Sequence, residues 1–111
     1  MLKKANRINT TRELQKVYRG GKTLHTPALV VKFVAKLKTR IGFVISKKVS
    51  KQAVTRNRIK RVLREFMRVS IKKIQPGDYM IVVKPGADKY ETFLIREQLE
   101  KSLKRSGLWQ E

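Results

Sequence analysis

Between Lys47 and Lys73 eleven residues are basic and one, Glu65, is acidic, while apolar side chains return at Ile59, Val62, Leu63, Phe66 and Met67. That spacing predicts a helix of about Ala53 to Lys73 with one apolar stripe. A solvated helix normally sets acids about four residues from its bases. Here Arg56, Lys60 and Arg64 instead stand at i, i+4 and i+8, and Arg61, Arg68 and Lys72 continue the exposed face. The helix is divided along its length, core below and cations above, so the rest of the chain must supply a surface for the stripe to cover.

Alternation supplies that surface. Leu29, Val31, Phe33, Ala35 and Leu37 form one apolar face of a strand whose other face is mixed, with Val30, Lys32, Val34 and Lys36. Arg40 to Ser46 repeats the design with Ile41, Phe43 and Ile45, and the short Lys38-Thr39 link predicts an antiparallel hairpin between the two. Asp78 to Lys84, after the Pro76-Gly77 turn, makes a third strand with Tyr79, Ile81 and Val83 on one side. Thr10-Thr11-Arg12-Glu13 has capping-box spacing and opens a short helix of about Thr11 to Arg19, ended by Gly20-Gly21. A last helix, about Glu91 to Ser106, turns Ile95, Leu99 and Leu103 inward, sets the pairs Glu97/Lys101 and Glu100/Lys104 outward, and stops at Gly107. A chain of 111 residues is long enough for one core and too short for two, so residues 1–111 are expected to form a single α+β domain.

Twenty-eight Lys and Arg against eight Asp and Glu give a formal net charge of +20. On so small a body this means self-repulsion, relieved when a polyanion is bound, and nucleic acid is the expected partner. The longest apolar runs, Ala28 to Val31 and Ile41 to Ile45, are far too short to span a membrane. No membrane partner is expected. Residues Met1 to Thr11 do not resemble a secretory signal, and a cytoplasmic location is expected. There is no cysteine and one histidine, His25, placed in a loop by its neighbours. Neither a metal cage nor a nucleophilic triad is visible, so no catalytic or metal-binding residue is assigned.

The Arg56-Asn57-Arg58 triplet stands near the start of the long helix, where unpaired N–H groups and the positive end of the dipole favour phosphate. Guanidinium groups bind phosphate bidentately, and Asn57 can donate and accept toward a sugar hydroxyl or base edge. Asn57 equally suits a helix-start residue that satisfies its own backbone. Such a face is built for the phosphates of structured RNA more than for bases in a DNA groove, and no DNA partner is expected. The phosphate-binding set is Lys47, Lys48, Lys51, Arg56, Asn57, Arg58, Lys60, Arg61 and Arg64. A ribosomal or general RNA-binding protein would be equally basic.

The run Gly42-Phe43-Val44-Ile45-Ser46-Lys47-Lys48-Val49, followed by Ala53-Val54-Thr55-Arg56-Asn57-Arg58-Ile59-Lys60-Arg61-Val62-Leu63-Arg64-Glu65, closely resembles the RNR signature of the bacterial ribonuclease P protein family. Asn6-Arg7-Ile8, the Leu14 to Tyr18 helix, the Asp78 to Val83 strand and the length fit that family as well. The resemblance implies the order α-β-β-β-α-β-α, a four-stranded mainly antiparallel sheet, and an unusual left-handed β-α-β crossover through the long helix, against the usual hand. It implies a protein cofactor of a ribonucleoprotein endonuclease that removes the 5′ leader from precursor tRNA. The RNA subunit would then carry the chemistry with Mg2+, held mainly by that RNA and not by the protein alone. The partners implied are the catalytic RNA on the RNR face and the precursor tRNA, whose leader lies in a cleft of the first helix and the sheet. Carried over by position, that cleft comprises Arg7, Leu14, Tyr18, Lys32, Lys36 and Gly42. Family members place aromatic rings at two helix positions and one strand position, which here read Leu14, Tyr18 and Lys32. Only Tyr18 keeps a ring for stacking unpaired bases, which shifts weight toward Lys32, Lys36 and phosphate contacts.

Overall fold

The computed structural model describes residues 6–8, 12, 15 and 21–110. Arg12 and Gln15 are helical, and the remainder of the helix expected over about Thr11 to Arg19 lies outside the described residues. Four strands follow, β1 (Lys22–His25), β2 (Leu29–Ala35), β3 (Arg40–Ile45) and β4 (Gly77–Val83), with α1 (Ala53–Ser70) between β3 and β4 and α2 (Thr92–Arg105) after β4.

The sheet order is β1-β2-β4-β3. β4 runs antiparallel to β2 and parallel to β3, and β1 pairs antiparallel with β2. The hairpin expected across Lys38-Thr39 therefore does not form, because β4 lies between the two strands it would join. The reason is compositional. Six of the seven β4 residues are buried, the strand being apolar on both faces except at Asp78, so it takes the centre, where both edges and both faces are covered. The connection of residues 36–39 has only to cross two strand spacings, about 10 Å, well within its reach. Leu37, assigned to the apolar face of β2, lies in that connection at 99% exposure, beyond the strand's end at Ala35. His25 is the last residue of β1 rather than a loop residue.

Register assembles the core in three rows across the sheet: Leu29, Val83 and Ile45; Val31, Ile81 and Phe43; Phe33, Tyr79 and Ile41. Ile59, Leu63, Phe66 and Met67 of α1 and Ile95, Leu99 and Leu103 of α2 complete the same apolar cluster. Val62, assigned to the α1 stripe, is half-buried at its margin. Because β3 and β4 are parallel neighbours, the chain must cross over between their ends, and α1 is that crossover. The opposite sheet face is smaller, with Ile8 and Met80 buried among Val34, Val44 and Val82.

α2 ends at Arg105 with Ser106 as its C-cap, and Gly107, at a φ of 83°, turns the chain out of the helix. The Glu97–Lys101 and Glu100–Lys104 pairs form at 2.9 Å each, and the hydrogen bond from Lys104 holds the Glu100 carboxyl below the usual range. The C-terminal segment then returns: Trp109 bridges to Ile74, stacks 6.1 Å from Phe66 and lies under the ammonium groups of Lys73 and Lys104.

In the middle of the sheet, the Tyr79 hydroxyl donates to the Gln75 carbonyl at 2.6 Å, and burial pushes its pKa well above the usual tyrosine value. The folded state therefore holds this proton where the unfolded chain, titrating near about 10, releases it. Its contribution to stability is full below about pH 10 and declines as pH rises further. Tyr79→Phe is expected to cost about 1 kcal/mol at neutral pH through the lost hydrogen bond. It should also flatten the alkaline decline in the urea midpoint; an unchanged alkaline limb would assign that decline to other groups.

Candidate nucleic-acid interface

Several of the cations are spent on holding the fold. Arg40 forms a bidentate pair with the buried Asp78, both contacts at 3.0 Å, joining β3 to β4. Lys84 Nζ donates to the Thr26 carbonyl and Lys22 Nζ to the Ser106 carbonyl, each at 2.7 Å. Arg68, assigned by spacing to the open cationic face, donates instead to Glu65 on its own helix, which lowers the Glu65 carboxyl's pKa. What remains on the outer surface of α1 is Asn57, Arg58, Lys60 and Arg61, all exposed, with Arg64 half-buried. None has a side-chain hydrogen bond or ion pair among the described residues.

The start of α1 adds to this field. Its N-cap is Gln52, with no side-chain cap bond and no acid in the first turn, so the helix's positive end is left uncompensated. Asn57 lies in the second turn, so it is not the residue that satisfies the helix start. The preceding loop is pinned at its middle by buried Val49, whose N–H donates to the Ser46 carbonyl at 3.0 Å. Ser46 Oγ accepts from the Lys48 N–H and Ser50 Oγ from the Gln52 N–H, both at 3.2 Å. Lys47, Lys48 and Lys51 project from this pinned loop and are exposed.

The two arginines of the triplet do different things. Two positions along a helix is a rotation of about 200°, so Arg56 and Arg58 fall on opposite flanks. Arg56 lines a groove with Phe43, Ile45, Asn57 and Lys60, is half-buried, and donates from Nη1 to the Ser50 carbonyl at 2.8 Å. It therefore braces the lysine loop as well as adding charge. Arg58 faces the turn before α2. Asn57 stands on the crown between them.

Residues assigned to the second, leader-binding set are distributed less simply. Lys32 and Gly42 stand in one row on the second sheet face, both opposite Met80, and Lys32 Nζ donates to Thr23 Oγ1 at 2.9 Å. Lys36 follows the end of β2 and is exposed. Leu14 and Tyr18 lie outside the described residues. Arg7 is not with Lys32: residues 6–8 run along the free edge of β3, with Arg7 bridged to Ile41, the Ile8 N–H donating to the Ile41 carbonyl at 3.0 Å and Asn6 Nδ2 to the Thr39 carbonyl at 2.8 Å. There Arg7 shares a cleft of about 270 Å³ with Lys60 and Arg64, floored by Ile8 and Ile41 to Phe43. Gly42 lines that cleft too, so one glycine belongs to both surfaces. The grouping of Arg7 with α1 carries no local sequence signal, since the residues are more than fifty positions apart.

Fold and charge together define a small basic α+β protein with a cationic helical crossover laid on a mixed four-stranded sheet. The ribonuclease P family profile matches residues 2–107. The ribonuclease P protein component of Exiguobacterium sp. is 33% identical over 98% of this chain and 96% of its own length, and that of Nitratiruptor sp. is 36% identical over 94% of each. The solved RNase P protein of Staphylococcus aureus superposes with a TM-score of 0.87 at 30% identity, over 96% of this chain and 99% of that one. The RNase P protein of Thermotoga maritima gives 0.77 at 26% identity, over 89% and 96%. The chain belongs to the ribonuclease P protein family. The ribosomal reading that charge alone allowed gives way to this match.

Since Arg58 stands free and Arg56 braces a loop, their removal should differ. Arg58→Ala is expected to weaken binding to a ribonuclease P RNA and to flatten its log–log salt slope by roughly 0.7–0.9, one phosphate contact. Arg56→Ala should lose more than one contact and be non-additive with Lys48→Ala, whereas Arg58→Ala and Lys48→Ala should add within about 0.5 kcal/mol. Equal and additive effects would remove the bracing role of Arg56.

Proposed function

We propose that the chain is the RNA-binding protein cofactor of ribonuclease P, in which the RNA subunit cleaves the 5′ leader from precursor tRNA and the protein is not catalytic. The observation that carries this is the uncommitted cationic crown of α1, Asn57, Arg58, Lys60, Arg61 and Arg64, continuous with Lys47, Lys48 and Lys51 on a pinned loop. The helix and the pinned loop fix the backbone that carries these groups before any partner arrives, while the side chains stay free to meet phosphates. In this reading they hold the phosphates of the catalytic RNA.

The precursor's leader is assigned to the second surface, with Lys32, Lys36 and Gly42, to Leu14 and Tyr18 outside the described residues, and to Arg7 at the junction of the two surfaces. An unpaired strand is held there by phosphate contacts from the lysines and by stacking on Tyr18. Mg2+ belongs to the holoenzyme in this account. Among the described residues no three His, Asp or Glu side chains converge on a point, and Asp78 is committed to Arg40, so these residues do not fit a Mg2+ site. The ion is placed among RNA phosphates. No described helix is long and apolar enough to cross a membrane. The bacterial relatives support a place in the cytoplasm beside the RNA.

Reconstitution tests the proposal: full-length chain plus ribonuclease P RNA, assayed for leader removal from precursor tRNA at low Mg2+. Stimulation of cleavage by the protein, with none by protein alone, is the expected result. Cleavage without RNA, or no stimulation under any condition, would contradict it. In the same assay Tyr18→Ala should weaken binding of precursor tRNA more than that of mature tRNA; equal losses would place the leader elsewhere.

A further inference from the structure

The flank of α1 that carries Arg58 faces a cleft that the functions above leave unused. Thr55, Arg58 and Ile59 lie across it from Asp88, Lys89, Tyr90, Glu91 and Thr92, around an open space of about 370 Å³, within the range of small-ligand sites. Large apolar exposure concentrates around it: Tyr90 is 36% exposed, Phe93 53%, and Val54, one helical turn before Arg58, 68%. In a chain with twenty-eight bases, such a patch next to a phosphate-binding helix needs an explanation.

The exposure of Tyr90 is built in. Gly86, at a φ of 92°, turns the chain after Pro85 into a single 3-10 turn, Ala87–Lys89. Within it the Ala87 N–H donates to the Lys84 carbonyl at 3.1 Å, that of Lys89 to Gly86 at 3.1 Å and that of Tyr90 to Ala87 at 3.0 Å. The Ala87 side chain is buried and fastens the turn to the core. Tyr90 is thus fixed at the mouth of the cleft with its ring half out.

The charges in the cleft are mixed and unspent. Arg58, Asp88, Lys89 and Glu91 make no side-chain hydrogen bond or ion pair among the described residues, although all four line one small space, two cations against two acids. Carboxylates repel phosphate and only accept hydrogen bonds. Their neighbour of choice in a nucleic acid is an exocyclic amine on a base edge, as when Asp or Glu accepts from the cytosine amine. A ring to stack on, an acceptor for an amine and a guanidinium for the adjoining phosphate then stand together.

We propose that this cleft is a third RNA site, which takes one unpaired, amine-bearing base, stacked on Tyr90, with Asp88 or Glu91 accepting from the amine and Arg58 holding the neighbouring phosphate. It rests on the RNA-binding reading of α1 and adds a base-selective element to a phosphate-reading face. Uracil, which offers carbonyl oxygens where cytosine offers its amine, is disfavoured.

The test is a titration of the 15N-labelled full-length chain with short oligo(rC) and oligo(rU) at about 0.3 M salt, where phosphate contacts are weakened. Oligo(rC) should move the amide signals of Lys89 to Phe93 and bind about tenfold more tightly than oligo(rU), a gap of the size that one edge contact to a base held on Tyr90 supplies. Tyr90→Ala should erase that gap, and Tyr90→Phe, which keeps the ring, should preserve it, with thermal melting as the check on folding. A Phe variant as impaired as the Ala variant would overturn stacking. Shifts confined to the α1 crown, equal for both oligonucleotides, would overturn the cleft, leave RNA binding intact and assign the apolar patch to a protein contact. If neither oligonucleotide binds even at low salt, the RNA-binding reading fails with it.

Discussion

The pairing of β4 on both its edges is the constraint from which the rest follows. Its apolar residues point to both faces, so the strand belongs at the centre of the sheet, and that position separates β2 from β3. Once β3 and β4 are parallel neighbours, the chain between them must travel the length of the sheet, and only a long crossover does that. α1 is consequently pressed against the core along Ile59, Leu63, Phe66 and Met67, and its other side must face outward. A helix with apolar residues below and cations above is the sequence that this topology requires.

Charge sets the second constraint. The fold neutralises only part of its excess, through Arg40 with Asp78, Arg68 with Glu65 and the two pairs on α2. Among the described residues, eight positions of α1 and the loop before it, Lys47, Lys48, Lys51, Asn57, Arg58, Lys60, Arg61 and Arg64, keep their side chains without a partner, and the uncapped helix start adds to the field of their cations. A surface of this kind destabilises the isolated fold through self-repulsion, and a bound polyanion relieves that repulsion. Family membership and surface chemistry thus point the same way. In the proposed division of work the protein holds RNA in place, and among the described residues no three His, Asp or Glu side chains gather as a metal-dependent catalyst would need.

Much of this was legible in the sequence because period-two and period-3.6 patterns are local. The strands around Val31, Phe43 and Ile81, the helix through Leu63 and the stop at Gly107 follow from spacing alone. Strand neighbours do not. Nothing near Lys38-Thr39 records that a strand forty residues away will be inserted there, and Lys22-Thr23-Leu24-His25 carries too few apolar residues to announce an edge strand. The cationic set was visible as a set, but its division was not. Whether Arg56 spends a donor on the Ser50 carbonyl, or Arg68 on Glu65, depends on loop geometry and rotamers. The union of Arg7 with Lys60 and Arg64 depends on the amino-terminal segment running along the edge of β3.

In the proposed assembly the crown of α1, and not the far edge of the sheet, lies on the ribonuclease P RNA. The chain has no cysteine, so single cysteines introduced by Arg61→Cys and His25→Cys can each carry a tethered iron chelate for hydroxyl-radical cleavage of the bound RNA. Strong, localised cleavage from position 61 and little from position 25, at the end of edge strand β1, is the result predicted. Equal cleavage from both, or stronger cleavage from position 25, would contradict it.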